Sequence, residues 1–192
     1  DLQPKTALMN HRGDGKTARF KARILRGICF RLSPYIMYLK ATFDDASTEM
    51  DNVKNEMMGN AFITEAFGKM HATEYNGVHK DFSKRAWFAC NPRNASVRKE
   101  KQGEPFCFIH PRGVGQPVRG RNIYIQKTTV RPHWIFGDDL DDEEAVLNQI
   151  QREKNEYWFF NSVMKCVRTD VFPNAKTNRW DKVSEEYWGS EA

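Results

Sequence analysis

Long apolar runs are missing from this chain. No window of its 192 residues approaches the roughly 18 uninterrupted apolar positions that a membrane-spanning helix requires. Clustered histidine is missing too. His11, His71, His79, His110 and His133 are scattered, and none belongs to an HExxH pair. No GxSxG elbow is present. The glycines of GVGQPVRG match neither the phosphate-cradling loop nor the dinucleotide fingerprint. The four cysteines Cys29, Cys90, Cys107 and Cys166 include no CxxC spacing, which removes the common structural zinc and dithiol redox motifs. The acidic run DDLDDEE lacks the spacing and glycine of a calcium loop and reads as the start of a helix. With no nucleophile–base pair and no paired carboxylates, the residues point away from an enzyme, and no metal or cofactor is expected.

What is present is charge, unevenly spread. The formal net charge is +5. Residues 1–112 carry 19 Lys and Arg against 12 Asp and Glu, whereas residues 113–192 are mildly acidic. Such a front half suits an anionic partner: nucleic acid, a sulfated polysaccharide or an acidic membrane surface. The 40% hydrophobic content fits a folded protein. An even cysteine count is compatible with two disulfides or with free buried thiols. Asn94-Ala95-Ser96 is an acceptor for N-glycosylation. Arg12-Gly13-Asp14 reads as part of a turn rather than an adhesion site.

The local patterns favour strands. TARFKARI alternates Ala18, Phe20, Ala22 and Ile24 against Arg19, Lys21 and Arg23. GICFRL, YIMYLKATF, NAFITEAF, RAWFAC, PFCFIH and IYIQKTTV read as further strands, and DDASTEMDNVKNEMM as a loop or a single helical turn. Only the region 139–165 carries a convincing helical stripe, through Leu147, Ile150, Lys154 and Trp158. The expected fold is therefore all-β, with residues 1–112 as the core domain and 113–192 as an extension with a strand and one amphipathic helix.

Between RAWFAC and PFCFIH lies the most informative stretch. Lys84, Arg85, Arg93, Arg98, Lys99 and Lys101 face only Glu100 within residues 84–101. Clustered cations gain most from a polyanion, because each contact releases condensed counterions. This region resembles the fibroblast growth factor family. Trp87-Phe88-Ala89 stands at its Trp-aromatic-x-Ala strand, residues 93–102 at its basic turn, and Phe108-Ile109-His110-Pro111-Arg112 at its closing strand. The form it takes is a divergent, invertebrate-type member with a C-terminal extension.

The resemblance implies a β-trefoil whose first strand would precede Asp1 or be missing. It implies a secreted, extracellular signalling ligand that binds a receptor tyrosine kinase ectodomain with heparan sulfate as co-ligand. The polysaccharide would contact Lys84, Arg85, Arg93, Arg98, Lys99 and Lys101. The receptor would contact Tyr75, Asn76, Ile109 and His110. Cys90 and Cys107, on the two flanking strands, would form a disulfide if those strands pair, and Asn94 would carry a glycan. The alternative reading is a nucleic-acid-binding β-barrel or capsid-like protein that uses the same basic face, with Trp87 and Phe88 as stacking neighbours.

Overall fold

A computed structural model describes residues 15–74, 86–93, 99, 102–141 and 147–166, and the backbone of two further strands at 171–174 and 179–182. It overturns the all-β trefoil. Helices α1 (Lys16–Cys29), α2 (Phe43–Gly59), α3 (Ala61–Phe67) and α4 (Gln149–Trp158) accompany a mixed sheet. The sheet contains β1 (Tyr35–Lys40), β2 (His71–Glu74), β3 (Trp87–Cys90), β4 (Pro105–Gly113) and β7 (Trp134–Gly137) in the order β2-β3-β4-β1-β7. β1 runs parallel to both β4 and β7, while β2, β3 and β4 pair antiparallel. The hairpin β5 (Ile123–Ile125) and β6 (Thr128–Val130) and the short pair β8 (Val171–Asn174) and β9 (Arg179–Lys182) complete the strands. β7 joins β1, so the sheet draws on residues from both sides of position 112.

TARFKARI is helix, not strand. Phe20, Ile24 and Ile28 recur at helical spacing and enter the core, whereas Ala18 and Ala22, the other half of the alternation, are exposed. GICFRL is the end of that helix and its exit turn. The segment expected to be a loop is the 17-residue α2. Thr42 caps it, accepting the Asp45 amide at 3.2 Å, and Asp44 and Asp45 suit the positive end of its dipole. Ala46, Met50, Val53 and Met57 form its buried stripe. NAFITEAF is α3, started by the Asn60 side chain on the Phe62 and Ile63 amides. IYIQKTTV folds back on itself as β5 and β6, with Gln126 and Lys127 at φ 48° and 67° in the turn. β1, β3 and β4 are strands, as the sequence suggests. Of the helix expected over 139–165, residues 139–141 are not helical; α4 begins at Gln149 and continues through a π-helical turn at Phe159–Val163, and Leu147 and Ile150 of the expected stripe are exposed.

Two cores sandwich the sheet. On one face, Ile36, Tyr38, Trp87, Ala89, Cys107, Ile109 and Phe136 meet Ile24 and Ile28 of α1 and the α2 stripe. On the other, Tyr35, Met37, Leu39 and Phe108 meet Val118, Ile123, Ile125, Val130 and Val163. β1 is thus buried on both sides, as expected of a central parallel strand. At the carboxyl end of the neighbouring β4 the packing leaves room only for glycine. A Cβ on Gly113 would sit 2.7 Å from the Phe43 amide nitrogen at the start of α2.

A buried carboxylate ties α1 to this end of the sheet. Asp138, fully buried after β7, accepts Tyr38 Oη at 2.8 Å and Thr17 Oγ1 at 2.7 Å, with Lys16 Nζ at 3.6 Å. The first turn of α1 contains no acidic residue, so Asp138 supplies the negative charge its dipole favours. Replacing Asp138 with alanine strands two hydroxyls and should cost about 3 kcal/mol, whereas Lys16→Ala should cost under about 1 kcal/mol. Chemical denaturation midpoints of the two variants check this; equal losses would show that the partly exposed Lys16 pair carries the anchor.

Candidate polyanion interface

The expected disulfide is not formed. Cys107 lies opposite Ala89 and Cys90 opposite Pro105, across a register shift between Ala89 and Cys90. All four cysteines are free. Burial raises the thiol pKa of Cys107 and Cys90 above the ordinary value. Ile109 and His110 are buried on opposite faces of β4, so neither offers a receptor contact. His110 Nδ1 instead pairs with Tyr35 Oη at 2.6 Å, and burial holds the imidazole well below its usual pKa. Trp87 is buried in the helix-side core and Phe88 packs against Phe108, so neither presents a platform for a base. Of the basic stretch, Arg93 and Lys99 are exposed. Tyr75, Asn76, Lys84, Arg85, Asn94, Arg98 and Lys101 lie outside the described residues, as does Arg12-Gly13-Asp14.

The strongest cationic feature that is described is one the sequence reading assigned to a strand. α1 contains Lys16, Arg19, Lys21, Arg23 and Arg26 and no acidic residue. Lys16 and Lys21 are spent on Asp139 and Glu49, at 2.6 and 2.8 Å. Arg19, Arg23 and Arg26 project from the exposed face, one helical turn apart. Arg23 lies over the Trp134 ring and Arg26 over the Phe30 ring, each 5.9 Å from the centroid. Among the described residues neither Arg23 nor Arg26 forms an ion pair.

The end of α1 carries this face toward the basic stretch. Phe30 is 60% exposed and meets Phe67 edge-on at 5.1 Å. The Leu32 amide reaches back to the Gly27 carbonyl at 2.8 Å, so Arg31 occupies the left-handed closing position of the helix, at φ 53°. Glycine is the usual residue there, and a side chain costs about 1 kcal/mol. Arg31 places its guanidinium 4.6 Å over the Phe106 ring and donates to Asn91 Oδ1. Asn91 stands at the foot of the β3–β4 connection. Its amide donates to the Glu104 carbonyl at 3.0 Å, and the Gly103 amide donates to the Asn91 carbonyl at 3.2 Å.

This foot is polar, enclosed and incompletely satisfied. Among the described residues, the buried atoms Arg31 Nη1, Asn91 Nδ2, Glu104 Oε2 and His71 Nε2 have no hydrogen-bond partner. Each such atom costs about 1–3 kcal/mol when left unmatched. Burial lowers the pKa of Arg31 and the Glu104 charge opposes that. Burial, and then the cation of Arg93, lower that of His71. Arg93 curls beside Gly103, where a Cβ would lie 3.0 Å from its Nε. The arrangement contains no nucleophile beside a base, and no group of His, Cys, Asp and Glu among the described residues could hold a metal ion.

No family model, curated protein or solved structure matches this chain. The site therefore has to be judged on its own chemistry. It joins a helix face of arginines, an exposed aromatic ring and a polar foot under a basic turn, and every part of it except the basic turn escaped the sequence reading. The signal for the helix was Phe20, Ile24 and Ile28. The signal for its end was Ser33-Pro34, which sets a helix boundary just upstream.

Arg31→Gly separates structure from function at this foot. It relieves the left-handed strain while removing one ring contact and one hydrogen bond, so stability should change by less than about 1 kcal/mol. Thermal unfolding measures it; a loss of several kcal/mol would make Arg31 a structural staple.

Proposed function

We propose that the protein binds nucleic acid through the exposed face of α1 and the adjoining β3–β4 turn. The observation that carries this reading is the run of Arg19, Arg23 and Arg26 on a helix without acidic residues. Phe30 and Arg31 lead from that run to Asn91, immediately after β3 and two residues before the exposed Arg93. Guanidinium forks suit phosphate oxygens, and their array along one face suits a repeating anion. An exposed ring beside a cation is the element on which a base stacks. Four unpaired thiols fit a chain that works where cysteines stay reduced, which favours this reading over a secreted ligand. The trefoil that a heparan-dependent growth factor would need is replaced by an α/β sheet, so that function loses its structural support.

Fluorescence anisotropy with a labelled mixed-sequence strand of about 20 nucleotides tests the proposal. Arg23→Ala with Arg26→Ala should weaken binding about tenfold and reduce the slope of log affinity against log salt by about 2. Heparin serves as the rival ligand. Retention on heparin with no nucleic-acid binding would reverse the assignment, and a double variant that binds like the parent would move the site elsewhere.

A further inference from the structure

Resting on the nucleic-acid reading, we infer that the α1 face takes unpaired strands in preference to duplex, and that Phe30 makes the distinction by stacking on a base. A lone exposed ring is ordinary on a protein surface. Phe30 differs in what holds it. It closes α1 one helical turn beyond Arg26 and is 60% exposed, with the Arg26 guanidinium 5.9 Å from its centroid. Phe67 of α3 meets it edge-on at 5.1 Å and is itself packed against the helix-side core. The ring is thus braced by a core residue rather than left to swing in solvent. A base that settles on it costs little side-chain entropy.

The rest of the face decides what such a ring can use. Arg19, Arg23 and Arg26 are exposed on a helix without acidic residues, so their charge complements a phosphodiester backbone of either kind. A duplex closes its base faces inside the stack and shows only edges in its grooves, and a phenyl ring cannot hydrogen-bond to an edge. Duplex would therefore engage the arginines and leave Phe30 idle. An unpaired strand offers the same phosphates together with a free base face. An arginine lies over a ring twice on this helix, Arg23 over Trp134 and Arg26 over Phe30. Trp134 is half-buried and packed against the helix-side core, which leaves Phe30 as the ring of the two that a base can cover. The chemistry recognised is a base face on a polyanionic backbone, which DNA and RNA strands both present.

The test measures fluorescence anisotropy on the full chain with four probes of one length: a DNA strand, an RNA strand of the same sequence, the DNA annealed to its complement, and an abasic DNA strand. The parent should bind the DNA strand tighter than the duplex, despite the denser charge of the duplex, and about tenfold tighter than the abasic strand. Phe30→Leu keeps apolar bulk and removes the aromatic face. It should weaken both base-bearing single strands about tenfold and leave the duplex and the abasic strand unchanged. The slope of log affinity against log salt should not move, because no charge is lost. Unchanged duplex binding also shows that the variant folds, and the abasic comparison needs no variant at all. The inference falls, with the nucleic-acid reading intact, if Arg23→Ala with Arg26→Ala still lowers the salt slope while the parent binds duplex or abasic strand as tightly as the DNA strand. It falls in the same way if Phe30→Leu binds the single strands like the parent or weakens the duplex equally. A loss confined to DNA or to RNA replaces stacking by sugar recognition and overturns the role of the ring. Absence of any dependence on Arg23 and Arg26 overturns the parent reading instead.

Discussion

The carboxylate of Asp138 fixes how α1 lies on the sheet, and much else follows from that placement. It is fully buried at the carboxyl end of β7 and grips Thr17 and, from β1, Tyr38. One turn of α1 is thereby locked against the sheet. The helix must then turn Ile24 and Ile28 downward and its arginines outward, because both stripes belong to one rigid cylinder. Orientation of the cationic face is in this sense a consequence of a buried hydrogen-bond hub at one end and a closing turn at Arg31 at the other.

The two ends of α1 are built by opposite means. At the amino end Asp138 Oδ2 accepts two hydroxyls and Oδ1 faces the Lys16 ammonium at 3.6 Å without a hydrogen bond, so the buried charge is tolerated by the groups around it. At the carboxyl end Arg31 is strained and only partly engaged, with a ring beneath it and one hydrogen bond to Asn91. Folding accounts for the first arrangement. It does not account for the second, since glycine would terminate the helix and an apolar foot would need no matching of polar atoms. That contrast separates a structural cluster from a candidate binding site in a chain where both are made of the same residue types.

How much of this was legible in the sequence differs by element. β1, β3 and β4 were readable because aromatic and aliphatic runs bounded by Pro and polar residues are strand-like whichever sheet receives them. The α1 segment misled because alanine counts as apolar on both periods. Ala18 and Ala22 completed a false alternation, although the large residues Phe20, Ile24 and Ile28 already kept helical time. α2 was hidden by composition, since Asp, Asn and Thr crowd its surface, yet Thr42 and Asp45 spelled a cap and Met50, Val53 and Met57 a stripe. The trefoil resemblance matched local rhythm along β3 and β4, and rhythm does not report pairing partners. The basic turn was visible as charge. Its polar foot was not, because Arg31, Asn91 and Glu104 meet only through the packing of three separate segments.

The place of β1 in the sheet also shapes how the chain reaches this structure. YIMYLK is enclosed on both faces, but its neighbours Phe108 and Trp134 are encoded far downstream. During synthesis this apolar strand emerges early and waits, bare on both edges, until β4 and then β7 are delivered. α1 and α2, built from local contacts, can form ahead of those long-range strand pairings. A fragment ending after β4 would keep one flank of its central strand open, an invitation to pair with a second unfinished chain.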